Sequence, residues 1–181
     1  MSSQALSTGS IVRGVAIRML IGVSVTVVLS TIFIASQPVS HVSLPAAHLH
    51  APRWDLIARA SLPMQIHLAT VLAALALATV QIVAPKGAAL HRVLGWALAV
   101  LLITTAVVSL FIRNPAGGLF NPFQVFSVWT LIGVPWAVIA ARRHDIRRHA
   151  RLMYGFYFGA LIFAGLLTLL PGRLMWWVFF G

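Results

Sequence analysis

Long apolar blocks alternate along this chain with short polar bends. Five blocks stand out, residues 19–35, 63–84, 93–112, 123–141 and 152–170. The last four run to about 19 to 22 residues each, and about 20 residues rising 1.5 Å apiece cross a hydrocarbon core about 30 Å thick. The bends between them carry chain breakers: Pro85 with Gly87, Asn114-Pro115 with Gly117 and Gly118, the charged run RRHDIRRHAR, and Pro171-Gly172. Connections this short force consecutive helices to run antiparallel. None of the blocks shows the alternation of a membrane barrel, and unpaired backbone groups are too costly in lipid for anything but helices or closed barrels. The pattern therefore predicts an all-α integral membrane helical bundle of five transmembrane helices, an N-terminal anchor helix followed by a four-helix antiparallel core.

The first block crosses the bilayer if Arg18 snorkels to the interface. A signal peptide shares its basic-then-apolar plan, but Ile34-Ala35-Ser36 is a poor cleavage site and further spans follow. We read it as an anchor. In the polar stretch 37–62, Trp54, Ile57 and Leu62 alternate with Arg53, Asp55 and Arg59, as in a short amphipathic helix lying on the membrane surface. The closing MWWVFFG is too short to cross and rich in aromatic residues, which places it at an interface. Residues 1–62 thus form the anchor and an external loop, and residues 63–181 the four-helix core domain.

Composition sharpens this picture. Of 181 residues 60% are hydrophobic and 8% charged, and the mean hydropathy is +0.97. A soluble domain carries about a quarter charged residues. Thirteen Lys and Arg stand against two acidic residues, for a net charge of +11. The basic residues sit between apolar blocks and not on a polar face, so anionic lipid headgroups are the expected partners and nucleic acid is not. With the N-terminus inside, Arg13, Arg18, Lys86, Arg92, Arg142, Arg143, Arg147, Arg148 and Arg151 share one side, against Arg53, Arg59, Arg113 and Arg173 on the other. The positive-inside rule then puts the N-terminus in the cytoplasm and the C-terminus outside, across a bacterial inner (plasma) membrane. With no cysteine there is no disulfide, thiolate metal site or cysteine nucleophile.

The candidate chemistry rests on seven histidines. His67 lies about a turn inside the second block, and His91 opens the third. The roughly 24 residues between them span about 36 Å as helix, so the two mark opposite leaflets. His91 can approach His144 and His149 at the inner face, while His67 has His41, His48 and His50 as loop partners. One histidine cluster near each face is the plan of a b-type cytochrome, in which neutral imidazoles ligate haem iron and arginines such as Arg92 pair with propionates. On this reading His67, His91 and His149 are the iron ligands and haem b the cofactor. The plain alternatives are His91 and His149 as interfacial cations, and His67 as a neutral group hydrogen-bonded to a neighbouring helix. An ionisable residue inside a span faces the bundle and has a partner. Arg142, Arg143, Arg147, Arg148 and Arg151 serve as a topology anchor, or as a lipid, quinone-headgroup or partner-protein contact. Gly95, Gly133, Gly155, Gly159 and Gly165 allow helices to approach closely, and Pro135 is placed to kink the fourth span.

From about His67 onward the chain resembles an uncharacterised bacterial family of multi-pass membrane proteins known as a domain of unknown function. The resemblance is carried by His67, by KGAALHRVLGW (Lys86, Gly87, His91, Arg92, Gly95, Trp96), by RNPAGGLFNPF and RRHDIRRHARLM, and by Pro171, Gly172 and Arg173 of LLPGR. It implies a four-helix core preceded by an extra helix, and no activity. The helix count and histidine placement are also similar to small cytochrome b proteins, an analogy of architecture. Two functions follow as expectations: a non-catalytic accessory or assembly component of a membrane complex, or a b-type haem electron carrier. A small transporter is a third, less supported by the sequence, which lacks a charged pathway or repeat.

Overall fold

The computed structural model describes residues 48–112 and 124–181, with Ile17 in addition. Apart from Ile17, these residues belong to one unit, residues 42–181. The expected anchor helix 19–35, His41 and the RNPAGGLFNPF loop lie outside the described residues.

Among the described residues all regular structure is helical. The elements are α1 (Trp54–Ala58), α2 (Leu62–Val83), α3 (Ala89–Ser109), α4 (Gln124–Arg142), α5 (Ile146–Gly155), a π-helical segment (Phe156–Phe163), α6 (Ala164–Leu167) and α7 (Leu174–Phe179). The run from α5 through α6 is one continuous helix of 22 residues. It joins α2, α3 and α4, of 22, 21 and 19 residues, as the four helices among the described residues that are long and apolar enough to cross a membrane. The core predicted from hydropathy is present.

Two helix starts differ most from expectation, and for one reason. α3 begins at Ala89 and the last span at Ile146, not at 93 and 152, because polar first turns are helical too. Hydropathy detects the greasy part of a span and misses its polar ends. In the first case the N-cap Ala88 has no side-chain cap, and Arg92 Nη1 donates to the Gly87 carbonyl at 2.9 Å, tying the first turn to a bend where Gly87 adopts a φ of +84°. In the second, Asp145 accepts a hydrogen bond from the Arg148 N–H at 3.0 Å and caps α5. The preceding residue, His144, has a φ of 59°. Its N–H donates to Ala141 O at 3.1 Å and that of Asp145 to Ala140 O at 2.9 Å. This is a Schellman ending of α4, so two adjacent residues close one helix and open the next.

The helices pack in chain order, α2 on α3, α3 on α4 and α4 on α5, and the π segment returns against α2 to close the bundle. The core joins Ala74 and Ala78 of α2, Leu98, Ala99 and Leu102 of α3, Val134 of α4, and Phe156 and Leu161 of the π segment. Small residues at the crossings let backbones approach, which is how spans associate where lipid is as apolar as the side chains. Trp129 stacks obliquely on Phe156 at 5.5 Å between centroids. Gly159 leaves room for the Trp129 ring, which a Cβ there would meet at 3.4 Å; Gly165, expected at a helix contact, faces open space. Leu72, Val80, Val100, Ile132 and Leu166 point outward, as lipid-facing residues should.

At one end, a strap before α1 is bound by its main chain to α7. His48, His50 and Arg53 donate their N–H groups to Phe180, Phe179 and Val178 carbonyls at 3.0, 3.2 and 3.0 Å. We call this the strap end. The opposite, basic end carries Arg142 to Arg151.

Candidate functional site

His67 lies near the strap end, partly buried on α2. Its Nδ1 donates to the Thr105 carbonyl of α3 at 3.3 Å. A carbonyl can only accept, so Nδ1 carries the proton and Nε2 keeps a lone pair. The same crossing holds a hydroxyl relay, Thr105 Oγ1 to Thr70 Oγ1 at 2.8 Å and Thr70 Oγ1 to Ile66 O at 2.8 Å. The loop histidine His50 directs Nδ1 to Ala51 O at 2.7 Å and Nε2 to Gly181 O at 2.8 Å, so its ring is occupied at the clasp. Arg173, at the start of α7, is half-buried, and desolvation holds its guanidinium below the ordinary value.

The basic end gathers residues from all four spans. His149 of α5 donates through Nδ1 to Ala137 O of α4 at 2.9 Å, again leaving Nε2 with the lone pair. His91, in the first turn of α3, lies within Coulombic range of His149 and Lys86. Gln81 of α2 is buried and donates its Nε2 to the His91 carbonyl at 2.9 Å. Two acceptor-capable atoms here, Gln81 Oε1 and His91 Nδ1, are buried without a hydrogen-bond partner among the described residues. Such atoms are rare in folded proteins and call for a water or a ligand. His91, His144 and His149, expected as neighbours at the inner face, thus all belong to the basic end of the bundle. His144 is placed by its left-handed backbone in the α4–α5 turn.

Around this cluster the arginines have distinct positions. Arg142 lies 5.4 Å over the Trp96 ring and ties α4 to α3. Arg148 lies 5.5 Å over Trp136 and ties α5 to α4. Arg143 and Arg148, with Asp145, Trp136, Ile139 and Ala140, line a cavity of about 300 Å³. Arg147 and Arg151 are exposed on α5. Among the described residues no three His, Asp or Glu side chains come together as a metal cluster. The chain's two acidic residues, Asp55 and Asp145, both stand outside the four spans.

Gln81 escaped the sequence reading. Its signal was available: an amide inside an apolar span, seven residues after Ala74 and thus on the packed face of α2, needs a partner on another helix.

Residues 64–180 match the family described as "Predicted membrane protein (DUF2306)". The chain belongs to this family. The match runs from the first turn of α2 to the end of α7 and takes in His67, Gln81, His91 and His149, while the strap and α1 precede it. No curated protein and no solved structure matches the chain. Family membership gives a membrane protein of unknown function, so the chemistry must be argued from the residues.

Proposed function

We propose that this chain is a non-catalytic accessory or assembly component of a membrane complex. The observation that supports the reading is how the polar groups inside the spans are used. His67 bonds to Thr105 O, Thr105 to Thr70, Ser127 Oγ to Ser109 Oγ at 2.9 Å and Thr79 Oγ1 to Tyr157 Oη at 3.2 Å. Each joins one span to another. Polar side chains in lipid that serve as interhelical links stabilise packing and leave little for turnover. In this proposal residues 19–35 form a fifth, N-terminal span preceding the core 63–181. The N-terminus is cytoplasmic and the C-terminus outside a bacterial inner membrane, and the basic end faces the cytoplasm, with Arg142, Arg143, Arg147, Arg148 and Arg151 against anionic headgroups or a partner. The test is purification from native membranes in mild detergent. A stable larger assembly containing other membrane proteins is expected, and a strictly solitary chain would sink the reading.

A second reading is favoured by the basic end. His91 and His149 come from different helices, each ring has a nitrogen free of hydrogen bonds, and Gln81 Oε1 and His91 Nδ1 await partners. Neutral imidazoles are the ligand type of a haem b, which the two rings would hold with Arg92 pairing a propionate; His67 would offer Nε2 at the strap end. A backbone carbonyl holding the remote ring nitrogen, as Ala137 O does for His149, is the usual support of an imidazole ligand. Haem would supply one-electron transfer. Reduced-minus-oxidised spectra of the purified chain decide: a Soret and alpha band lost in His91→Ala and His149→Ala carries this reading, and colourless protein from haem-replete cells removes it.

A further inference from the structure

We infer that the cavity in the α4–α5 turn is a binding site for the phosphodiester headgroup of an anionic glycerophospholipid. Its wall has two characters. Trp136, Ile139 and Ala140 of α4 form an apolar side, and Arg143 and Arg148 a cationic one. Trp136 and Ile139 are also exposed on the outer surface of α4, in line with Ile132. The cavity thus opens where the lipid-facing stripe of a span gives way to arginines, at headgroup depth, where tryptophan also concentrates. An amphiphile with acyl chains along Ile132 and Ile139 would bring its phosphate to the two guanidinium groups, whose planar donors suit phosphate oxygens. A soluble phosphate would leave the apolar wall unused.

The charge preference follows from what is already engaged. Asp145 is committed to capping α5 through the Arg148 N–H. The Trp136 face is covered by the Arg148 guanidinium. The aromatic face that would hold a headgroup ammonium is thus covered, and the single negative charge of Asp145 is outweighed by the two guanidinium groups that line the same cavity. A volume of about 300 Å³ is at the small end of ligand pockets, which suits a glycerophosphate head and not a whole lipid. The site rests on the contact of Arg143 and Arg148 with anionic headgroups proposed above and does not involve the histidines, so its failure would leave the complex-assembly and haem tests undecided by it.

The test uses the full chain in nanodiscs of equal phosphatidylglycerol and phosphatidylcholine, with retained lipid counted by native mass spectrometry after release. Phosphatidylglycerol is expected to be retained preferentially. Arg143→Gln with Arg148→Gln should lower that preference roughly tenfold or more, the paired Lys substitutions should keep part of it, and Arg59→Gln at the strap end should leave it unchanged. Circular dichroism checks that the variants remain helical. Equal retention of both lipids by the wild type would overturn the proposal even if the Gln variant fails to fold. So would an unchanged preference in a folded Gln variant, or displacement of the lipid by millimolar inorganic phosphate.

Discussion

Phe156 fills the notch that Gly133 leaves in α4: a Cβ on Gly133 would stand 2.5 Å from the Cζ of Phe156. The ring cannot easily retreat, being 1% exposed and backed by Trp129. Gly133→Ala should therefore destabilise the bundle by about 1–3 kcal/mol, the usual cost of overpacking. Denaturation in mixed micelles measures it. Phe156→Leu in the same chain should recover part of the loss, because two residues in direct contact do not add.

The α4–α5 turn predicts two changes of opposite sign. Asp145→Ala removes the α5 cap and should cost about 1 kcal/mol. His144→Gly relieves a left-handed backbone that L side chains adopt reluctantly, and should gain up to about 1 kcal/mol. The same denaturation assay reads both, and a loss on His144→Gly would mean that the imidazole itself makes a stabilising contact.

These examples show where sequence was informative. Spans α2 to α4 were legible because lipid demands a fixed length of apolar helix, and the placing of His91 and His149 at one end of the bundle followed from antiparallel connections. The early start of the last span was not read from hydropathy, although Asp145 ahead of Ile146 is a capping signal. The π segment has no marker in its residues. His67 is paired to a carbonyl, and a backbone acceptor is invisible to residue identity, so its partner was readable as a helix but not as an atom.

That last point is itself testable. Since the acceptor for His67 belongs to the main chain, Thr105→Val should leave the His67 bond intact and lose only the link to Thr70. His67→Ala should lose the bond outright. Each should cost about 0.6–1 kcal/mol, and the imidazole resonances of His67 should persist in Thr105→Val.

Gln81→Met removes a donor to the His91 carbonyl together with a buried acceptor that has no partner among the described residues. Gain and loss should nearly cancel, leaving stability within about 0.5 kcal/mol of wild type. A fall of about 2 kcal/mol or more would reveal that Oε1 is bonded in the working protein to water or a ligand.

The main-chain clasp between residues 48–53 and Val178 to Phe180 has a consequence for assembly. One half of it is synthesised before any of the four described spans and the other half after all of them. During biosynthesis the amide groups of the early half stay bonded to water until the last helix has been delivered to the bilayer. The clasp therefore cannot close until the last of the four described spans has been made, and a chain cut before Val178 would carry those four spans without the latch.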